Sequence, residues 1–578
     1  MTDLVPDQRN SSLAPEHLSV TRHLCAGVYS DRAIRDLVIR VHNTAHRRVA
    51  PSYDFDLVPV IRHAWAARAL EAGGHAALAA AIVIPLLLGR TWSAVLVALA
   101  LLACVAVHIE MRRVKKVVRQ AVDDSSHRTR SKWKWRVRGT SQQTPLLDRQ
   151  VAGFWNRIPL RFRRYLKAGA ATAALLVGSS ILHPAETAFA THLFLGLLGV
   201  TATLGALRQH RINRLRTRSD PRPSRLTPRE KAVHEQQLHA FVVYCRDDSR
   251  SQNEDELRPF NPFGHISPFI GAGEIIHHWN PPMTVQMLRP ANGEESRQDR
   301  EYGIPPFKAH ELVHHLRHTM TKLHHDSEDV RLQSNVRDRI YISEADASAD
   351  RWFLHRSDDV AEIESIINTP DHKAHHFLEV SVPAVGGELV TTVLLRVSLK
   401  GRTLSLDFAA CALPRTPAEY RRIGRYAEHG IIATILSALR TVRAFPEECT
   451  RIYRLAALPL LVAQAVFAQR DWTLAPMPGI LIGSKVAVRE ECAEEWGDVQ
   501  IDKTKILDHM KIVEQHLLNS IHDFLDSRKV DTSDFDKRAT QIISASVVNV
   551  GGVNEFTNSA IGTGAQANNV QPQAPRNQ

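Results

Sequence analysis

The most specific chemical pattern in the chain is a pair of histidines with a glutamate beside the first. The segment His310-Glu311-Leu312-Val313-His314 has the HExxH spacing. On a helix, residues i and i+4 lie on one face, so both imidazoles could hold a zinc ion while the glutamate acts as a general base. The pattern therefore defines one hypothesis, a zinc-dependent peptidase.

A zinc hydrolase also needs a third protein ligand. Glu344 is spaced and flanked like the ligand on the second helix of glutamate-type zinc peptidases, whereas His318 is a poorer choice and Met320 stands where a metzincin has histidine. Residues 338–342 read as a strand that would leave Glu344 in a loop at its end. The segment is also rich in histidine, which makes a chance match easier: His310, His314, His315, His318, His324 and His325.

We therefore expect a solvated histidine-rich helix, with zinc hydrolysis and metal binding without catalysis kept open as alternatives. The sequence predicts no catalytic, cofactor-binding or metal-binding residue and no cofactor. Gly271 and Gly273 could approach a phosphate closely, but a third glycine is missing and there is no GxxxxGK[ST] segment. A glycine turn between Phe269 and Trp279 is favoured over nucleotide binding.

Composition limits the class of protein. The chain has 578 residues, 44% hydrophobic and 23% charged, which excludes a wholly disordered or collagen-like chain. The six cysteines lie far apart without a CxxC pair, which suits a reducing compartment and predicts mostly buried, inert thiols: Cys25, Cys104, Cys245, Cys411, Cys449 and Cys492.

Two long apolar blocks dominate the first half of the chain. Residues 72–109 contain 18 uncharged residues, then Arg90, then 19 more, and residues 168–207 contain runs of 18 and 21 around Glu186. One helix of 38 residues would be about 57 Å long, whereas a bilayer core is only about 30 Å thick. Each block therefore predicts two membrane spans joined by a tight turn, four spans in all.

The distribution of positive charge predicts the orientation of these spans. Residues 111–165 carry 16 Lys+Arg and 3 Asp+Glu, and further arginines follow residue 207, while the two turns carry only Arg90 and Glu186. Positive residues stay on the cytoplasmic side, so both termini and the basic loop should lie inside. The loop, which includes Trp133 and Trp135, is expected to contact anionic lipid headgroups, and a nucleic-acid partner is less favoured.

The second half of the chain predicts a soluble domain of α+β class. Strands around residues 377–382, 388–399 and 403–408 alternate apolar and polar residues, which indicates an antiparallel meander with one apolar face. A helix follows, with one apolar stripe: Ile506, Met510, Val513, Leu517, Ile521 and Phe524. Residues 455–467 are apolar but short, and predict a buried or membrane-grazing helix and not a fifth span.

The predicted domain order follows from these patterns. It consists of a helical cytoplasmic region (1–71), a first hairpin (72–110), the basic loop (111–165), a second hairpin (166–207), a basic linker (208–235), the α+β domain (236–530) and a glycine-rich tail (531–578). The tail is expected to form small strands or a solenoid-like turn, with residues 567–578 disordered.

Several stretches resemble a family of uncharacterised actinobacterial multi-pass membrane proteins. They are Leu24-Cys25-Ala26-Gly27 with Asp31-Arg32, residues 50–63, Pro268–Gly273 with Trp279, residues 380–399, and the tail from Val550 to Ala565. The resemblance implies membrane spans and a cytoplasmic domain. It implies no activity, catalytic residue or ligand.

Together these patterns predict a multi-pass protein of the inner (plasma) membrane that acts as a scaffold or sensor. Its expected partners are the lipid bilayer, other proteins bound by the cytoplasmic domain, and further copies of itself. The rival hypothesis is a membrane-tethered zinc metallopeptidase that uses His310, Glu311 and His314.

Overall fold

The computed structural model describes most of the chain and divides it into two compact units. Unit 1 comprises Met1–Trp65, Leu215–Gly424 and Ala463–Gln578, and unit 2 comprises Ala66–Arg214 and Arg425–Val462. The described residues are 17–106, 108–109, 112–113, 181–217, 222–245, 268–290, 295–323, 332–349, 354, 359–421, 430–474, 481–494, 496 and 500–544.

Unit 1 combines helices with seven strands. The strands are β1 (Phe241–Tyr244), β2 (Glu274–His278), β3 (Met283–Gln286), β4 (Asn335–Ser343), β5 (Ala374–Ala384), β6 (Leu389–Lys400) and β7 (Thr403–Leu413). The helices before and between the strands are α1 (His17–Ser30), α2 (Arg32–Asn43), the start of α3 (Leu57–Leu87), α6 (Pro228–Leu238), α7 (Ala309–Lys322), α8 (Glu344–Ala349) and α9 (Val360–Asn368). Those after β7 are α10 (Ala418–Arg421), α13 (Val488–Glu491), α14 (Gln500–Ser527) and α15 (Ser533–Ser544).

The strands form one mixed sheet in the order β1-β4-β5-β6-β7-β2, with β3 also paired to β7. The predicted meander is confirmed: β5, β6 and β7 are consecutive antiparallel neighbours, in register from Leu378↔Leu395 to Val390↔Leu413. β1 and β4 are parallel. The α+β class is thus correct, and the parallel pair makes the sheet mixed.

One face of the sheet is covered by the helix with the predicted apolar stripe. All six stripe residues of α14 are buried in one cluster with β5, β6 and β7, and α7 packs beside α14 on the same face. Met510, Val513 and Leu517 have no exposed surface. The four-and-three spacing therefore identified both the helix and its buried side correctly.

The other face of the sheet is buried as well, which corrects the expectation of a single apolar face. Phe377, Leu394 and Cys411 point into a second cluster that also contains Tyr53 and Phe269. Alternation predicts a solvated face only when nothing covers it, and here segments distant in sequence do so. Thr392, one of the polar residues of the alternating pattern in β6, is fully buried.

A buried ion pair lies within this second face. The Arg339 Nε donates to Glu379 Oε2 at 2.9 Å, and both side chains are 1% exposed. The Tyr53 hydroxyl donates to the same carboxylate oxygen at 2.8 Å, and Arg339 Nη1 donates to the His239 carbonyl at 2.7 Å. Burial alone would lower the pKa of Arg339, but the charge of Glu379 raises it, and burial raises the pKa of Tyr341 beside the pair.

Unit 2 is made of apolar helices. The rest of α3, then α4 (Thr91–Ala106), α5 (Pro184–Thr217) and α11 (Gly430–Cys449) pack around one cluster that includes Leu78, Leu96, Leu197 and Phe445. A short 3-10 turn (Ile452–Leu455) and α12 (Leu458–Phe467) follow α11. Two helices, Leu57–Leu87 and Pro184–Leu215, are long and apolar enough to cross a membrane.

The first predicted turn is present where the charge pattern placed it. Arg90 N donates to Pro85 O at 2.8 Å, and Gly89 follows the end of α3 with a φ of 73°. This is the geometry of a glycine helix stop, in which a positive φ lets the chain reverse without steric cost. The two apolar halves of residues 72–109 are therefore separate helices.

A close approach of two helices explains why α11 belongs to unit 2. A Cβ at Gly205 of α5 would lie 2.3 Å from the Thr441 Oγ1 on α11. Ser437 donates a hydrogen bond to the Gly205 carbonyl at 3.0 Å. Small residues at such crossings let helix backbones pack closely. The sequence analysis kept residues 425–462 within its 236–530 domain, because that contact joins residues more than 200 positions apart.

Other expectations differ in detail. α3 runs without a break across the expected boundary at residue 72, and the expected linker 208–235 is largely helical, since α5 extends to Thr217 and α6 starts at a Thr227–Glu230 capping box. α15 occupies the start of the expected tail. The buried alternative for residues 455–467 is wrong, because α12 has no buried residue. Residues 114–180, which include the basic loop beyond Arg113 and the start of the second hairpin, and the tail beyond 544 lie outside the described residues.

Glu379→Gln tests the ion pair. The substitution keeps the side-chain shape but leaves the Arg339 charge buried without its counter-ion, so we expect the free energy of unfolding to fall by about 3–5 kcal/mol. Glu419→Gln, at an exposed position on α10, should change it by less than about 0.5 kcal/mol. Thermal and denaturant unfolding of the purified full chain would measure both, and equal effects would contradict the assignment.

Candidate functional site

The HExxH segment lies on α7 as predicted, but its glutamate is engaged elsewhere. The Glu311 carboxylate accepts a hydrogen bond from the Lys308 backbone N at 3.0 Å and forms an ion pair with Arg528. His310 Nδ1 lies 3.1 Å from Asn368 Oδ1, and His314 Nε2 lies 3.4 Å from Glu364 Oε1. Glu311 therefore caps its own helix in this structure.

The expected third ligand occupies a different environment. Glu344 begins helix α8 directly after β4, which corrects the expectation of a strand-end loop. Its Oε1 accepts from Arg47 at 3.1 Å and from the Gly483 backbone N at 2.8 Å. Among the described residues, the group with three potential metal ligands within 4.8 Å of one another does not include His310, His314 or Glu344.

The two glycines considered for phosphate binding are explained by contacts within the chain. Gly271 and Gly273 both have positive φ values, of 92° and 96°. A Cβ on Gly273 would lie 2.0 Å from the Ala412 carbonyl oxygen, and one on Gly271 would lie 2.7 Å from the Pro51 carbonyl oxygen. Close backbone packing thus requires glycine at both positions.

A recess beside Gly271 is small and mostly apolar. It holds about 280 Å³, including open solvent at its mouth, which is below the usual size of an enclosed ligand pocket. Its main polar group, the Arg489 guanidinium, donates to the backbone carbonyls of Tyr53, Gly387 and Glu388. The recess is therefore not well suited to binding a polar ligand.

Four of the six cysteines are buried, as the sequence predicted. Cys25, Cys411, Cys449 and Cys492 are buried. Burial raises the pKa of the Cys492 thiol to about 12 and raises that of Cys25 further. Such thiols remain protonated and are poor nucleophiles.

The described residues contain one cluster with metal-ligand geometry, and the sequence analysis missed it. Glu71 and His75 lie one turn apart on α3, and Glu448 lies near the end of α11. One ligand atom from each lies within 4.8 Å of the others. We call these three residues the Glu71–His75–Glu448 cluster. All three belong to unit 2.

Two arginines hold the first carboxylate of the cluster. Arg68 Nη1 lies 2.9 Å from Glu71 Oε2, and Arg454 Nη1 lies 3.0 Å from Glu71 Oε1. Arg68 also donates to the Arg454 carbonyl at 3.2 Å. These bonds fix the rotamer of Glu71 in a largely buried position.

The sequence contained half of the signal for this cluster. Glu71 and His75 have the i, i+4 spacing that places two side chains on one helix face, at the edge of the first uncharged run. An ionisable pair there marks a functional candidate. Glu448 could not be connected with them, because 373 positions separate it from His75 and no motif links the two segments.

Comparison with known proteins adds one finding. Residues 278–557 match a family model described as an AbeC-like domain. No curated protein and no solved structure matches the chain. The matched segment covers a little under half of the chain, from the last residue of β2 through α15. The match is consistent with the resemblance to an uncharacterised family.

One partly buried carboxylate in unit 1, that of Glu490, is poorly compensated. Glu490 Oε2 accepts a hydrogen bond from the Gly271 backbone N at 2.8 Å. Burial raises the pKa of this carboxyl, the hydrogen bond lowers it in part, and the charge of Glu491 raises it again. The net shift is upward, so the ionised form destabilises the folded chain.

Glu490→Gln should therefore gain stability relative to wild type as the pH rises. Because the folded-state pKa lies above the unfolded value of about 4.3, the cost of the ionised group is absent at low pH and complete above the folded-state pKa. We expect the melting temperature difference to grow by about 2–4 °C between pH 4 and pH 8. The exposed neighbour variant Glu491→Gln removes only the smaller contribution of the adjacent charge, so it should show a weaker trend. A flat profile for Glu490→Gln would contradict the assignment.

Proposed function

We propose that the chain is a multi-pass membrane protein that serves as a membrane-anchored scaffold or sensor. The observation that carries this proposal is the contrast between the units. The sheet of unit 1 is covered on both faces. In unit 2, only 22% of the most apolar 18-residue window of α3, and the same share of that of α5, is buried. Exposed apolar helices of this length need lipid around them.

Contacts between the two predicted turns support hairpins that enter from the same side. Ser93 N, in the first turn of α4, donates to Glu186 Oε2 at 3.2 Å. The Arg90 guanidinium lies 4.4 Å from the centre of the Phe189 ring. The turn residues of both apolar blocks thus meet at one end of unit 2. Together with the positive charge in residues 111–165, this favours four spans with both termini and the basic loop in the cytoplasm.

The pair α11–α12 adds a further membrane element to the proposal. The two helical segments, Gly430–Cys449 and Ile452–Phe467, are bent by 85° and together are long and apolar enough to count as a broken span or re-entrant loop. Their large apolar side chains are exposed, from Ile431 at 79% to Phe467 at 74%. Lipid contact satisfies such a surface, so we assign α12 a position at or within the bilayer.

The scaffold or sensor role rests on what unit 1 offers for recognition. The recess beside Gly271 is smaller than a typical substrate pocket, and the surface of unit 1 carries exposed apolar side chains such as Ile304, at 84%. Protein partners bound by unit 1, anionic lipid bound by the basic loop, and self-association are parts of the same proposal. The inner (plasma) membrane is the compartment that fits the charge pattern and the free thiols.

Membrane anchoring and orientation can be tested together in intact cells. The chain should stay in the pellet after alkaline carbonate extraction and dissolve only with detergent. A cysteine in the first turn, Leu88→Cys, should react with a membrane-impermeant maleimide on intact cells, because it lies on the far side. Arg113→Cys, beyond α4, should react only after permeabilisation. Recovery of the chain in the aqueous fraction, or the reverse labelling pattern, would overturn the proposal.

The peptidase alternative makes a distinct prediction. If α7 carries a zinc hydrolase site, Glu311→Gln should abolish peptide hydrolysis while keeping zinc, and His310→Ala and His314→Ala should each lose it. Because Glu311 caps α7 and pairs with Arg528, we expect instead no hydrolysis by the purified full chain, with or without added zinc. Hydrolysis that depends on all three residues would replace the scaffold proposal.

A further inference from the structure

We infer that the Glu71–His75–Glu448 cluster binds a divalent transition-metal ion. Two carboxylates and one imidazole from two different helices converge on one point, with one ligand atom of each within 4.8 Å of the others. In a tetrahedral zinc site with bonds of about 2.0–2.2 Å, neighbouring ligand atoms lie roughly 3.4 Å apart. The distance from His75 Nε2 to Glu448 Oε2, 3.5 Å, already has that value.

The imidazole of His75 is the observation that points to a ligand. The residue is 1% exposed, and its Nε2 is buried without a hydrogen-bond partner. A buried polar nitrogen without a partner costs about 1–3 kcal/mol. The Nε2 atom faces the Glu448 carboxylate but makes no hydrogen bond with it, so a cation bound between the two atoms would give the imidazole nitrogen a partner.

The arginines beside Glu71 determine how such a site would behave. Arg68 and Arg454 each donate to one oxygen of the Glu71 carboxylate. Hydrogen bonds of this kind orient metal-ligating carboxylates. Their positive charge also weakens the attraction for a second cation. The side chains of the cluster should therefore keep their positions without metal, and metal binding should be reversible.

The donor set selects the class of ion. Imidazole favours zinc, iron, copper or nickel over magnesium and calcium, and carboxylate oxygens accept zinc or manganese as well. Three protein ligands leave at least one coordination position for water, as in open zinc sites. Zinc is accordingly the probe of choice. Reversible occupancy would give the proposed sensor its signal, and in that respect the inference deepens the proposed function.

Zinc titration of the purified full chain in detergent, after chelator treatment, tests the site. The His310→Ala/His314→Ala background removes the histidine pair of α7, so that zinc bound there does not obscure the result. In this background we expect one equivalent of zinc to bind in competition with a chelating dye. His75→Gln and Glu448→Gln should each weaken that binding by roughly 100-fold or more, because each removes a ligand.

Matched variants separate a metal site from a general charge effect. Glu447→Gln changes the neighbouring glutamate, which pairs with Arg112 and Arg451, and should leave zinc affinity unchanged within about twofold. Glu448→His keeps a metal ligand but cannot form an imidazolium–carboxylate pair, so zinc binding should survive in it. Cobalt bound in place of zinc should give a visible absorption spectrum that disappears in His75→Gln.

Three outcomes would overturn the inference. The first is no zinc binding by the background protein. The second is a zinc affinity in His75→Gln and Glu448→Gln that equals the affinity of the background protein. The third is a loss of affinity in Glu447→Gln as large as the loss in Glu448→Gln. If His75→Gln fails to fold, Glu448→Gln and Glu448→His still decide the question. Failure here leaves the extraction and labelling experiments untouched, so it can be told apart from failure of the membrane proposal.

Discussion

The ion pair between Arg339 and Glu379 is the constraint on which unit 1 depends. Burying a sheet on both faces removes water from the inward side chains, and an arginine there needs a counter-ion. Glu379 supplies the counter-ion and accepts from the Arg339 Nε, and the His239 carbonyl accepts from Nη1. Tyr53 donates to the same Glu379 carboxylate, while the Arg339 Nη2 is left without a hydrogen bond. The pair therefore ties β4 and β5 to Tyr53, in the segment between α2 and α3, and to the end of α6. Apolar packing alone would not fix that register so specifically.

Unit 2 differs from unit 1, because much of the apolar surface of its long helices is exposed. Its helices expose apolar side chains, and three of its ionisable groups, Arg68, Glu71 and Arg454, form two ion pairs at one place. Charged groups near lipid are expensive unless paired, so a converging set of this kind is a candidate for function. His75 differs from these paired groups, because its Nε2 atom has no hydrogen-bond partner.

Local patterns predicted much of this structure. The period of the α14 stripe gave a correct buried face, the β5–β7 meander followed from alternation, and Gly89 marked a true helix stop. The predictions that failed concern contacts between segments that are far apart in the sequence. Alternation in β6 could not reveal that Tyr53 and Phe269 cover its second face. Similarly, the spacing of Glu71 and His75 could not predict that Glu448 lies beside them. Nothing in the sequence around Gly205 predicted its contact with Thr441.

The interleaving of the two units along the chain has a consequence for biosynthesis. Gly205 of α5 can pack against Thr441 of α11 only after the 210 residues from 215 to 424 have been translated. At a translation rate of about 5–20 residues per second, roughly 10–40 s pass between the synthesis of α5 and that of α11. During that interval the early helices of unit 2 lack one of their packing partners, and most of the sheet of unit 1 is translated before that partner.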